Sequence, residues 1–97
     1  MRLVLHAPTA GALTRARSNL RNLLAAEPTA EVRIVANADA VPTAIDVPDP
    51  DTDGFLRLCE NTLTARGLVA PPGIATVPAA VLEIVRLQAD GWGYLRA

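Results

Sequence analysis

The sequence predicts an α/β fold, on three observations. Five short apolar runs recur along the chain, at residues 2–6, 32–36, 55–59, 74–77 and 92–96. Stretches with helical spacing or helix-capping residues separate them. No repeat, low-complexity tract or linker interrupts this alternation. Short apolar strands joined by helices argue for a mainly parallel sheet with helices on both faces, because parallel strands need crossover connections that cover the sheet.

The first run, 2–6, is apolar and stopped by Pro8, as expected of a buried strand. Thr9 is placed to cap a helix over 10–26. Leu13, Ala16, Leu20, Leu23 and Leu24 share one side of it, and Arg15, Arg17, Arg21 and Asn22 mostly take the other. Glu27-Pro28 ends this helix, since a residue before proline avoids the α region. The second strand, 32–36, is rich in β-branched residues and runs into Asn37. Asp39 looks like the cap of a short helix that tolerates Pro42 in its first turn and ends before Pro48. Residues 48–54, Pro-Asp-Pro-Asp-Thr-Asp-Gly, read as loop throughout.

The third strand, 55–59, leads directly into a helix over 60–66, with Gly67 as its stop. A Pro-Pro-Gly loop precedes a short fourth strand at 74–77. Pro78 is expected to open the last helix, with Val81, Leu82, Ile84 and Val85 as its apolar side. Asp90-Gly91 closes it before the fifth strand.

Composition limits what such a fold can be. Its 97 residues suit one domain, spanning 1–97, with a modest core. Hydrophobic residues make up 51% and charged residues 20%, a balance that excludes a disordered chain. Phe55, Trp92 and Tyr94 are the only aromatics of their type, so the core must be built from Leu, Val, Ile and Ala. The net charge of -1 gives no long-range attraction to nucleic acid or acidic lipid, and neither is expected as a partner. All nine basic residues are Arg, which reads as coding bias unless several converge on one site. A single cysteine cannot form an intramolecular disulfide, and small secreted domains usually carry several, so a cytoplasmic location is expected. The N-terminal apolar stretch is too short for a signal peptide, and no run approaches the roughly 20 residues that span a bilayer.

Ligands of open α/β sheets collect beyond the carboxyl ends of the strands. His6, Asn37 and Cys59 follow the first three strands there, so one crevice could gather all three. Cys59 has the strongest setting, where a strand meets a helix N-terminus. Partial positive charge and free N–H groups at that position favour thiolate over thiol. Arg57, two residues back, would help if it shares the strand face, and Glu60 would oppose. Two readings of Cys59 stand: a reactive thiolate, or a small packed core residue of the common kind. His6 reads as a base, a hydrogen-bond donor or an ordinary satisfied histidine. Asn37 reads as a ligand contact, a helix cap or the holder of a turn. Asn61 and Thr62, in the first turn after Cys59, join His6 and Asn37 as candidate ligand contacts. No cofactor is expected, and no metal, because one Cys and one His cannot supply a tetrahedral structural zinc site without carboxylates or a second chain.

Residues 49–60 match the calcium-loop pattern D-x-D-x-D-G-x5-E in full. The context argues against it. Such a loop needs a helix on each side, whereas here prolines disturb the entry and the sheet would lose its third strand. An acidic turn feeding a strand preserves the alternating pattern.

Residues 59–68 read C-x-x-x-L-x-x-R-G-L, and this segment resembles the cysteine segment of the DsrE/DsrF-like family, which includes sulfur-relay proteins. The end of the chain adds to the resemblance: Val-Pro-Ala-Ala-Val at 77–81, then Leu-Gln-Ala-Asp-Gly-Trp-Gly-Tyr-Leu at 87–95, is similar to the family's helix, Q-x-x-G step and short aromatic strand. The strand ending in Val35-Ala36-Asn37 also fits. What this resemblance implies is a three-layer α/β/α fold with a five-stranded parallel sheet, and assembly into homotrimers or homohexamers. It also implies a role for Cys59 as the carrier of a persulfide passed between a donor and an acceptor protein. This chain is shorter than the relay subunits, and its room for an extended cysteine loop is small. The alternative is a non-catalytic oligomer that binds a small ligand, or serves a structural role, with Cys59 packed and unreactive.

Overall fold

The computed structural model describes all residues, Met1–Ala97. The chain runs β1 (Arg2–Ala7), α1 (Ala10–Ala26), β2 (Glu31–Ala36), α2 (Ala40–Asp46), α3 (Pro50–Asp53), β3 (Leu56–Cys59), α4 (Glu60–Arg66), β4 (Ala75–Val77), α5 (Ala80–Ala89) and β5 (Gly93–Arg96). The strands form one sheet in the order β4-β3-β2-β1-β5. Every neighbouring pair is parallel. The fold is therefore α/β with a five-stranded all-parallel sheet flanked by helices.

Strand order decides where each helix lies. The steps β1 to β2, β2 to β3 and β3 to β4 all move one way across the sheet. Right-handed crossovers then place α1, α2 and α4 on the same face. The chain returns from one edge to the other between β4 and β5, so α5 crosses the opposite face. The two cores reflect that imbalance. The larger holds 15 buried residues, among them Leu5, Ile34, Leu56 and Leu58 of the strands with Leu13, Leu20, Val41 and Leu63 of the helices. The smaller holds 7: Val4, Val35 and Cys59 of the sheet, Ala80, Ile84 and Leu87 of α5, and Trp92. One face is thus heavily covered, and the face that carries Cys59 has a single helix over it.

Thr9 caps α1 as its sequence position suggests, its Oγ1 accepting the N–H of Ala12 at 3.0 Å. Gly67 ends α4 in the left-handed region at φ 62°, where a Cβ would be strained.

Four expectations need correction. Residues 48–54 are not wholly loop, because α3 forms a short turn of helix there. Pro50 presets the helical φ, and the Asp53 carboxylate accepts the N–H of Asp49 at 3.1 Å. Arg17 does not lie on the solvent side of α1. It is buried, and its guanidinium donates to Asp53 at 3.3 Å. Asp39 precedes α2 without capping it through its side chain, which instead accepts from Arg66 at 2.8 Å. Finally, α5 begins at Ala80 and seats Ala80, Ile84 and Leu87 against the sheet. Val81 and Val85 face outward, 71% and 56% exposed, because the seat is narrower than the apolar side of the helix.

The calcium-like carboxylates have other partners. Asp49 is held by Arg21 at 2.6 Å, and Asp53 by Arg17. Arginines do converge here, on acidic residues of the same chain. Arg21's hydrogen bond holds the Asp49 carboxyl below the ordinary carboxylate value, against the opposing effect of burial. No helix is long and apolar enough to cross a membrane.

Candidate functional site

Cys59 is the last residue of β3 and the N-cap residue of α4. Its pairing with Val77 of β4 fixes its height in the sheet, and alternation along β3 turns it toward α5. It is 5% exposed. Burial pushes its thiol pKa up, as any desolvated acid is pushed. The main-chain N–H groups of Thr62, Ala80 and Asn61, with the Thr62 hydroxyl, pull it down. These donors prevail, and the pKa lies below the ordinary thiol value. The groups that lower it belong to the first turn of α4 and the first residue of α5.

Thr62 does more than face the sulfur. Its Oγ1 accepts the N–H of Ala38 at 3.1 Å. That N–H belongs to the turn after β2, where Ala38 takes a left-handed φ of 49°. Arg57 shares the strand face of Cys59, but its guanidinium bonds the carbonyls of Leu56 at 2.8 Å and Gly54 at 3.5 Å. Neither Arg57 nor Glu60 is among the groups that set the thiol. The expected help from Arg57 is replaced by backbone donors. Burial and the nearby Arg33 lower the Arg57 pKa, and Glu83 opposes them.

His6 and Asn37 come together. Nε2 of His6 and Oδ1 of Asn37 are 3.0 Å apart, and Nδ1 of His6 is 2.8 Å from the Tyr94 hydroxyl. An amide oxygen only accepts, so Nε2 carries the proton. In the Nε2–H tautomer, Nδ1 of His6 accepts the Tyr94 O–H. The result is a directed chain, Tyr94 to His6 to Asn37, on the α5 face of the sheet. It borders a cavity of about 320 Å³ whose other wall is Ala80, Val81, Ile84, Val85 and Gln88 of α5. The cavity lies between α5 and the β1–β5 side of the sheet.

The crevice expected to gather His6, Asn37 and Cys59 thus holds the first two. Cys59 is packed apart from it, with Ala80 touching both places: its N–H acts on the sulfur and its residue lines the cavity. Asn61 and Thr62 do not line the cavity either. Asn61 is exposed, and its main chain serves the sulfur. Tyr94 and Gln88 escape sequence reasoning. The signal for Tyr94 was its rarity as a phenol, but its partner depends on β5 pairing with β1, 88 residues away in sequence.

The chain is similar over nearly its whole length to the solved structure of MTH1491, a protein of unknown function from Methanobacterium thermoautotrophicum. The two share 28% identity at a TM-score of 0.84, over 99% of this chain and 98% of that one. No family model matches the chain, and no curated protein matches it.

Proposed function

We propose that the protein is a sulfur carrier in which Cys59 accepts and passes on a persulfide sulfur. The observation that carries this reading is the placement of the chain's one cysteine, Cys59, as the last residue of β3 and the N-cap residue of α4, where the nearby N–H groups of Asn61, Thr62 and Ala80 lower its pKa. A carrier needs a thiolate near neutral pH, and donors of this kind stabilise one. The resemblance of residues 59–68 to the cysteine segment of the DsrE/DsrF-like family supports the same role.

In the forward step the Cys59 thiolate attacks the outer sulfur of a donor persulfide. A new S–S bond forms at Cys59, the donor's S–S bond breaks, and the donor leaves as a thiolate. The reverse step delivers the outer sulfur to an acceptor thiolate. No net oxidation occurs. Because Cys59 is 5% exposed, the packed first turn of α5 or of α4 must move for a donor to reach it. The reading includes self-assembly. Exposed apolar residues that do not line the cavity, Val47, Val69, Leu82 and Leu95, support contact with further copies of the chain.

Incubation with a protein or small-molecule persulfide donor, followed by intact mass measurement, tests the carrier. One added sulfur on the wild type, absent from Cys59→Ser and removed by a reductant, is expected. An unmodified wild type across several donors would reject it.

A further inference from the structure

We infer that the cavity between α5 and the β1–β5 side of the sheet binds a small monocarboxylate with an apolar body. Its volume of about 320 Å³ lies within the range of small-molecule sites. One wall is aliphatic, formed by Val81, Ile84 and Val85. The other carries the chain of His6, Asn37 and Tyr94. Such a division suits a molecule with one apolar end and one polar end.

Hydrogen-bond accounting identifies the polar end. The His6 proton is committed to Asn37, and the Tyr94 proton to His6. Both protons of the Asn37 side-chain nitrogen lack a protein partner, as does the amide of Gln88. The site therefore offers spare donors. No carboxylate lines it. Beyond the lining, Arg96 pairs in register with His6, and alternation from Tyr94 puts it on the same face of the sheet. Spare amide donors, no acid and a neighbouring cation favour an anionic head with acceptor oxygens. A carboxylate on a short aliphatic stem fits both walls. This site is separate from Cys59, and it stands or falls apart from the sulfur-carrier reading.

The probe is hexanoate, with hexan-1-ol and hexylamine as controls of the same length. Calorimetry gives affinity, and side-chain amide resonances of Asn37 and Gln88 give location. Saturable binding of hexanoate with shifts at those two amides is expected, with hexan-1-ol weaker by about tenfold for want of a charged hydrogen bond. Asn37→Asp keeps an acceptor for His6 while introducing a negative charge. It is expected to lose hexanoate by at least about tenfold and to gain hexylamine. Val85→Trp, at an exposed position, is expected to fill the cavity and abolish binding without unfolding the protein. Several results would overturn the inference: no saturation by hexanoate up to about 10 mM, equal binding of acid and alcohol, or undiminished hexanoate binding by Asn37→Asp. It would also fail if Val85→Trp dissociated an oligomer while hexanoate binding persisted, which would give this groove to a second copy.

Discussion

The hydroxyl oxygen of Thr62 accepts the main-chain N–H of Ala38 at 3.1 Å. This bond joins the first turn of α4 to the turn after β2, two segments that the sheet brings side by side. It also orients the hydroxyl. The same hydroxyl is among the groups that lower the Cys59 pKa. Through Thr62, a loop 21 residues earlier in the chain is tied to the surroundings of the thiol.

Thr62→Val keeps the shape of the side chain and removes this link. The Cys59 pKa is expected to rise, because one of the groups that lower it is gone. Stability is expected to fall by about 1 kcal/mol, the usual net worth of a hydrogen bond. Thiolate absorbance against pH gives the first quantity and urea denaturation the second. Thr62→Ser should restore most of both. An unchanged thiol titration in Thr62→Val would remove the hydroxyl from the account.

Ala38 holds a φ of 49° without being glycine. A Cβ there costs roughly 1–2 kcal/mol, offset in part by the greater unfolded freedom of glycine. Ala38→Gly is expected to stabilise the protein by about 0.5 kcal/mol, read as a higher urea midpoint at unchanged slope. A lower midpoint would mean that the turn carries no strain.

Asp49 sits between Arg17 and Arg21, and its carboxyl is held below its ordinary value chiefly by the Arg21 hydrogen bond. A carboxylate whose folded pKa is depressed adds stability above its unfolded value of about 3.9 and loses it as pH falls through the folded value. Asp49→Asn is expected to be less stable than wild type by about 1 kcal/mol at neutral pH, the scale of a partly solvated pair. The gap should close as pH falls below about 4. Chemical denaturation of both proteins across pH would show it. A gap that persists at low pH would assign the effect to shape and not to charge.

Much of the fold is legible in the sequence because its signals are local. Thr9 marks the start of α1, Gly67 ends α4, and Pro28 and Pro48 bound the second β-α segment. Strand boundaries shift by a residue or two, as at Leu56 and Gly93, because pairing with a neighbour sets where a ladder begins. The misread residues share one cause. Arg17 looks like a solvent residue on helical spacing, yet Asp49 and Asp53 approach it from α3 and its N-cap, more than 30 residues later. Val81 and Val85 look like core, yet the sheet meets α5 on a narrower stripe. At the site, Cys59 is visible from the strand-to-helix junction alone. The donors from Ala80 and Thr62 are not, since the first depends on how α5 crosses the sheet. The His6–Asn37 pair follows from strand ends lying at one edge, whereas Tyr94 joins through the register of β5 on β1, which no local pattern encodes.

The central claim is that Cys59 is an activated thiol and not a packed bystander. The rate of its alkylation in the folded wild-type protein, followed against pH, tests that most directly. The groups around the sulfur predict a titration whose midpoint lies below that of an ordinary free thiol, with reaction under native conditions. A midpoint above that value, or no reaction until the protein unfolds, would contradict it.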